Sequence, residues 1–282
     1  MKITIAHSPD SDDAFMFYAL AKNKIDTGSY QFEHVLTDIQ TLSHKAIHTQ
    51  EYDLSAISYH TFPYAAAHYV LMESGSSMGD NYGPTLIASE GADPKSVLNK
   101  IKMSEITVAV PGLLTSAYLA LKLFVPNVKV QEIPFDQIQD WVKENPLSAG
   151  LIIHEGQLNF ERNGFIKLVN LGEWWFERTG GLPLPLGANV LRRNLPENVK
   201  KDLSLILKRA IEYSLKHREE ALDYALTFGR GLEKNEADRF VGMYVNELTL
   251  GLGARGKKSV ELFLREAYQV GLIPHLPQLE FV

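Results

Sequence analysis

The sequence predicts a two-lobed α/β fold with a ligand cleft between the lobes. Three observations carry this expectation. Apolar strand-like segments alternate with helical ones in two separate blocks. Two proline-containing apolar segments stand where a chain would pass between lobes, and the last third is helical throughout.

Residues 2–7 (Lys-Ile-Thr-Ile-Ala-His) suit a buried first strand, and 8–13 form a turn rich in capping residues. A helix follows over 14–24, with Phe15, Tyr18, Ala19 and Leu20 on or near one face. The pattern repeats with a strand at 30–35, a short helix at 39–47, a strand at 54–58 and a helix at 61–67. The second block opens with a strand at 107–110, a Pro111-Gly112 turn and an apolar helix over 116–124. A strand at 128–133, a helix at 135–142 and the very apolar strand 150–153 continue it, the last ending at His154. Alternation of this kind argues for mostly parallel sheets covered on both faces.

Segments 84–89 and 182–191 suit paired crossover strands, because proline lacks a ladder donor and belongs at edges and hinges. Within 200–217, Leu203, Ile206, Leu207, Ala210, Ile211 and Leu215 follow helical spacing. Further helices are expected over 219–228, 235–249 and 257–270. The expected division is a larger discontinuous lobe, 1–88 plus 190–282, and a smaller lobe, 89–189. Two α/β lobes with two crossovers suggest the architecture of type II periplasmic binding proteins. Such folds hold ligands between the lobes, at strand C-terminal ends and helix N-termini.

Composition excludes several classes. A net charge of −6 makes nucleic acid a poor partner, since phosphate binding needs a concentrated basic surface. The absence of cysteine excludes disulfides, thiolate metal sites and cysteine nucleophiles. No run approaches the roughly 18 apolar residues of a membrane span. The first apolar stretch is too short for an export signal, so the expected location is the cytoplasm.

Four strand ends carry candidate chemistry. In Ser8-Pro9-Asp10-Ser11-Asp12-Asp13, helix capping is favoured. The sharper alternatives are a ligand contact through Ser8 or Ser11 and a carboxylate metal site. Ser58 is the last residue of its strand and so suits a cleft contact. Thr115, Ser116 and Ala117 open a helix whose free N–H groups, with the two hydroxyls, suit a carboxylate or phosphate. Simple capping by Thr115 is compatible with that reading. Finally, Gly150-Leu-Ile-Ile-His154 delivers an imidazole to a strand end, where its near-neutral pKa suits proton transfer. Glu155 follows it, but adjacent strand residues point to opposite faces, which argues against a His-Glu dyad.

Other features point to packing. The Trp174-Trp175 pair suits the interior, with a flat ligand as the alternative if one ring lines the cleft. His44 and His48 have a metal-compatible spacing but lack a third ligand, and His60 and His68 are scattered. No dinucleotide, P-loop, nucleophile-elbow or zincin motif is present.

Together these segments resemble the 1,4-dihydroxy-6-naphthoate synthase family of the futalosine route to menaquinone. The likeness runs through Ser8, Pro9, Asp13 and Phe15, Leu-Ser-x-x-Ser-Tyr at 54–59, Pro-Gly-x-x-Thr-Ser-Ala at 111–117 and Gly-Leu-Ile-Ile-His-Glu at 150–155. It continues through Leu-Gly-x-Trp-Trp at 171–175, Leu-Pro-Leu-Pro-Leu-Gly at 182–187 and Arg192-Arg193. One departure stands out. Many members carry Ser-Pro-Cys-Pro-Asn-Asp-Thr where this chain has Ser-Pro-Asp-Ser-Asp-Asp-Ala.

The resemblance implies a lyase that acts on cyclic dehypoxanthinyl futalosine without a cofactor or metal. It implies His154 as catalytic base, with Ser58, Ser116 and Ala117 against the substrate or its carboxylate. Thr115 and Ser8 complete the expected contacts. The expected partner is a small carboxylate, and the expected state a monomer or weak homodimer. Two rivals remain at this level: a chorismate dehydratase of the same pathway, disfavoured by the His-Glu pair, and a solute-binding protein without chemistry.

Overall fold

The computed structural model describes residues 1–228 and 233–282. The first lobe begins β1 (Lys2–His7), α1 (Ser11–Ala21), β2 (Gln31–Leu36), α2 (Ile39–His48), β3 (Leu54–Ser58), α3 (Phe62–Ala65), β4 (Tyr69–Leu71) and β5 (Ser77–Gly79). The second comprises β6 (Thr85–Ser89), α4 (Pro94–Lys102), β7 (Thr107–Val110), α5 (Ser116–Phe124), β8 (Lys129–Glu132), α6 (Ile138–Glu144), β9 (Ala149–Ile152), β10 (Phe165–Asn170) and α7 (Leu171–Thr179). The chain then returns through β11 (Leu184–Arg192). Helices α8 (Glu197–Lys216), α9 (Arg218–Leu226), α10 (Lys234–Tyr244), α11 (Glu247–Leu250) and α12 (Gly253–Gln269) follow.

Both sheets are mixed. The first runs β2-β1-β3-β11-β4, with β5 also paired to β11; the second runs β10-β6-β9-β7-β8. β1 pairs β2 and β3 in parallel, and β7 pairs β8 and β9 in parallel. β11 and β6 run antiparallel to their neighbours. Each sheet therefore aims the C-terminal ends of its parallel strands at one rim, which is where βα connections build ligand sites.

The lobe boundaries expected at 88 and 190 fall inside strands. Residues 85–88 pair with β9 and β10 of the second sheet, and 184–189 pair with β3 and β5 of the first. Hydrogen-bond register thus moves the two connections to 80–84 and 180–183. Pro185 of β11 sits beside a register shift, where the ladder tolerates its missing donor. The 80–84 segment crosses against α7 so closely that a Cβ on Gly172 would lie 1.8 Å from the Tyr82 carbonyl oxygen. Only glycine allows that approach.

The residues that make β1 a strand also fix its packing. Ile3 and Ile5 are buried in one apolar cluster with Phe15 of α1 and Leu207 of α8, while Ala6 belongs to a second cluster with Leu42 and Tyr52. α1 is apolar all round, with every residue from Ala14 to Leu20 buried, because α8, α9 and α10 enclose it. The helix expected over 235–249 is divided. Val245 is extended, and Asn246 starts α11 with a reciprocal capping box to Thr249. A single apolar cluster runs from Ile57 and Leu71 of the first lobe through Trp175 and Phe263 to Leu86 and Val108 of the second. The Trp175 indole packs edge-on against Phe263, with centroids 5.4 Å apart, and donates to Ser259 Oγ at 3.1 Å. The tryptophan therefore joins the lobes rather than facing the cleft.

Candidate active site

The rims of the two sheets enclose a cavity of about 120 Å³. Four strand ends supply its walls: Ser8 and Asp10 after β1, Ser58 of β3, Thr115 to Ala117 after β7, and His154 after β9. All five residues expected to bind substrate and the expected base line this one space.

His154 leaves the sheet through a left-handed backbone conformation, φ 64°, uncommon for a residue with a side chain. The turn ends the strand and sends the ring across the cleft. There its Nδ1 lies 2.9 Å from Asp10 Oδ2, and side-chain exposures of 15% and 6% shield the pair from solvent. Phe135 covers the ring edge-on, with centroids 4.4 Å apart. Burial pulls the imidazole pKa down, but the charge and hydrogen bond of Asp10 outweigh it, so the net shift is upward. With Asp10 holding the Nδ1 proton, Nε2 is the nitrogen left to act as a base.

Asp10 occupies the N-cap position of α1 yet makes no capping bond. Its Oδ2 also accepts from Ser8 Oγ at 2.9 Å. Glu155 takes over the cap from the opposite lobe. Its Oε1 accepts from Ser11 Oγ at 2.8 Å and from the Ser11 N–H at 3.5 Å. The neighbouring His154 and Glu155 thus clasp the 8–13 loop at two points, with different partners. Glu155 does not pair with His154; the two stand together in a 3-10 turn over 154–158, beyond the end of β9, and the Glu155 carboxylate goes to Ser11 instead. With its amide oriented to satisfy its neighbours, Gln157 accepts from the His154 N–H at 3.2 Å and donates to the Gly83 carbonyl at 2.6 Å.

The serine and threonine side chains serve differently from expectation. The Ser8 hydroxyl is committed to Asp10, and its N–H donates to Asp13 Oδ2 at 2.9 Å. The Ser58 hydroxyl donates to the Leu114 carbonyl, tying β3 to the other lobe. Ser116 Oγ donates to the Leu186 carbonyl at 2.6 Å. Thr115 Oγ1 donates to the Gly112 carbonyl at 2.8 Å and accepts from the Tyr118 N–H at 3.1 Å. What the turn leaves to a ligand is the backbone N–H groups of Ser116 and Ala117 at the positive end of α5, without a partner among the described residues.

Two further acids stand beside this pair. Burial, reinforced by Asp13, Asp10 and Glu155, raises the Asp12 pKa well above the usual carboxylate range. Burial raises Asp13 to about 6, against the pull of its bonds to Ser8. Asp10, His154 and Glu155 also bring one metal-type ligand atom each within 4.8 Å of one another. In this arrangement Asp10 bonds His154 and Glu155 bonds Ser11, so each of the three already has a protein partner. His44 and His48 stack on the exposed face of α2, with ring centroids 6.0 Å apart.

A family model described as menaquinone biosynthesis matches residues 3–269. The 1,4-dihydroxy-6-naphthoate synthase of Thermus thermophilus is 35% identical over 280 residues, covering 99% of each chain. Among solved structures, a protein of Archaeoglobus fulgidus is 38% identical, with a TM-score of 0.89 over 96% of this chain and 98% of that one. The alkanesulfonate-binding protein of Xanthomonas axonopodis pv. citri shares 13% identity and a TM-score of 0.72, over 99% of this chain and 96% of that one. At that identity the likeness is one of fold. It is the periplasmic-binding-protein-like architecture expected from the order of strands and helices.

Proposed function

The chain belongs to the menaquinone-biosynthesis family that includes the 1,4-dihydroxy-6-naphthoate synthases, and on that premise we propose that it converts cyclic dehypoxanthinyl futalosine to 1,4-dihydroxy-6-naphthoate. The observation that carries the chemical part of the reading is the His154–Asp10 pair, 2.9 Å apart and facing a cavity whose far wall offers N–H groups without a partner among the described residues. A binding protein needs the N–H groups but has no use for a base held in one tautomer.

In this reading the N–H groups of Ser116 and Ala117 receive the substrate carboxylate. His154 Nε2 removes a carbon-bound proton made acidic by the substrate ketone. Elimination then opens the sugar-derived ring, a fragment leaves and the bicycle aromatises, which supplies the thermodynamic drive. Asp12, favoured as the neutral acid, is the group suited to return a proton to the departing oxygen. Fixed dipoles and a shielded cleft lower the cost of the enolate charge. Among the described residues no helix is long and apolar enough to cross a membrane.

The test is incubation of the purified protein with cyclic dehypoxanthinyl futalosine and detection of dihydroxynaphthoate. His154→Ala should lower kcat by about 10²–10⁴-fold. Unchanged substrate after long incubation would return the protein to the solute binders, and turnover of chorismate instead would make it a dehydratase.

A further inference from the structure

Asn189 lines the cavity from the first-lobe sheet and is 1% exposed. Its amide is locked. Nδ2 donates to the Gly75 carbonyl at 2.8 Å and lies 3.6 Å from Met16 Sδ. Turning the amide over would set Oδ1 against the Gly75 oxygen, a repulsive contact. Gly75 itself is in a left-handed conformation, φ 88°, and a Cβ there would lie 2.4 Å from Nδ2. The backbone is thus shaped around this amide. Yet Oδ1 is buried and has no hydrogen-bond partner among the described residues. A buried acceptor left unpaired is costly, so an oxygen held this firmly calls for a donor from outside the protein.

Its position says which part of a ligand would bring that donor. Met16 follows Asp12 by one turn of α1, so Asn189 lies on the α1 side of the cavity. Three residues back along β11, the Leu186 carbonyl binds Ser116 Oγ. Asn189 therefore stands roughly 10 Å along the strand from the α5 turn. One end of the space offers N–H donors and the other an acceptor.

We propose that Asn189 Oδ1 accepts a hydrogen bond from a hydroxyl of the substrate's sugar-derived part, while the carboxylate rests on the α5 N–H groups. Asn189 thereby selects ligands that carry a carboxylate at one end and a hydroxyl about 10 Å away. The assignment rests on the functional reading above and adds the direction in which the substrate lies.

The experiment compares wild type with Asn189→Ala, using the substrate, a series of its monodeoxy analogues and 2-naphthoate, a carboxylate without a hydroxyl. One deoxy analogue should bind wild type about 10-fold more weakly than the substrate does. Asn189→Ala should weaken substrate binding by a similar factor, leave that analogue unaffected, and keep the affinity for 2-naphthoate. That last measurement shows the variant to be folded. If every deoxy analogue binds wild type as tightly as the substrate, the proposal is overturned whatever the variant does. It is equally overturned if Asn189→Ala weakens substrate and all analogues alike. If wild type neither binds nor converts the substrate, the functional reading falls and takes this assignment with it. Conversion together with indifference to the hydroxyls removes the Asn189 proposal alone.

Discussion

The turns before α1 and α5 share one local architecture and carry opposite electrostatics. Each follows an apolar parallel strand and opens a helix onto the same cavity. α5 has no acid in its first turn, and Thr115 takes only the Tyr118 N–H, so the N–H groups of Ser116 and Ala117 remain for an anion. α1 carries Asp12 and Asp13 in its first turn and Asp10 before it, and Glu155 caps it from the other lobe. That helix end is already saturated with negative charge, so it holds protons and an imidazole instead. A helix N-terminus is therefore not an anion site by geometry alone; the side chains around it decide which charge it takes.

The strongest way to break this contrast is Asp10→Asn. It keeps the shape but removes the charge that holds His154 in one tautomer, and kcat should fall by about 10³-fold, within the range a positioned base supplies. The pH profile should move as well. In wild type the neutral base appears only above the raised His154 pKa, so activity rises through a point above 6.5. Without Asp10, burial dominates and the acidic limb should shift to lower pH. A profile that stays in place would show that Asp10 does not govern His154.

A second test concerns the support beneath the α5 turn. His60 is buried, and its N–H and Nδ1 reach Ser116 Oγ and the Thr115 carbonyl, each at 3.3 Å. Burial lowers its pKa to about 4. Between pH 6.5 and 4 the unfolded chain takes up a proton at this site and the folded chain does not. Its contribution to stability is thus complete above 6.5 and is lost as the pH falls. Urea unfolding at the two pH values should show His60→Gln gaining on wild type by up to about 3 kcal/mol. An unchanged difference would mean that His60 takes up its proton alike in the folded and unfolded chain.

The smallest effect separates backbone from hydroxyl at the anion end. Thr115 has the extended conformation that a residue before proline adopts, at φ −77° and ψ 147°, so proline is tolerated at the next position. Ser116→Pro removes the N–H and the hydroxyl, whereas Ser116→Ala removes only the hydroxyl. KM should rise about 10-fold from the alanine to the proline variant, with kcat little changed. Equal KM values would place the carboxylate elsewhere.

The expected residues of the site were legible because each stood at the end of a short apolar strand, and parallel strands send their ends to one rim. What could not be read was the use of each side chain. The hydroxyls of Ser8, Ser58, Thr115 and Ser116 all fitted ligand contacts, yet each proton goes to a protein acceptor. Asp10 resembled a helix cap because that is what an aspartate before a helix usually is. Nothing local to the sequence pointed to its bond with a histidine of the other lobe. Asn189 carried no signal, since a polar residue in an apolar strand looks the same whether its amide is satisfied or waiting. β10 and α7 escaped because mixed apolar and charged residues over 165–179 follow neither period cleanly.

By itself, then, the sequence determined the order of strands and helices, the two-lobed division and the histidine at the rim. Periodicity and composition are local, and the family motifs are read along the chain. Only the tertiary structure decided that Asp10 of one lobe meets His154 of the other, 144 residues away. It also decided that β6 and β11 belong to opposite sheets from those the boundaries implied, and that the buried Asn189 oxygen has no partner among the described residues. Those facts depend on register and on distances between remote segments, which the packing of the whole molecule sets.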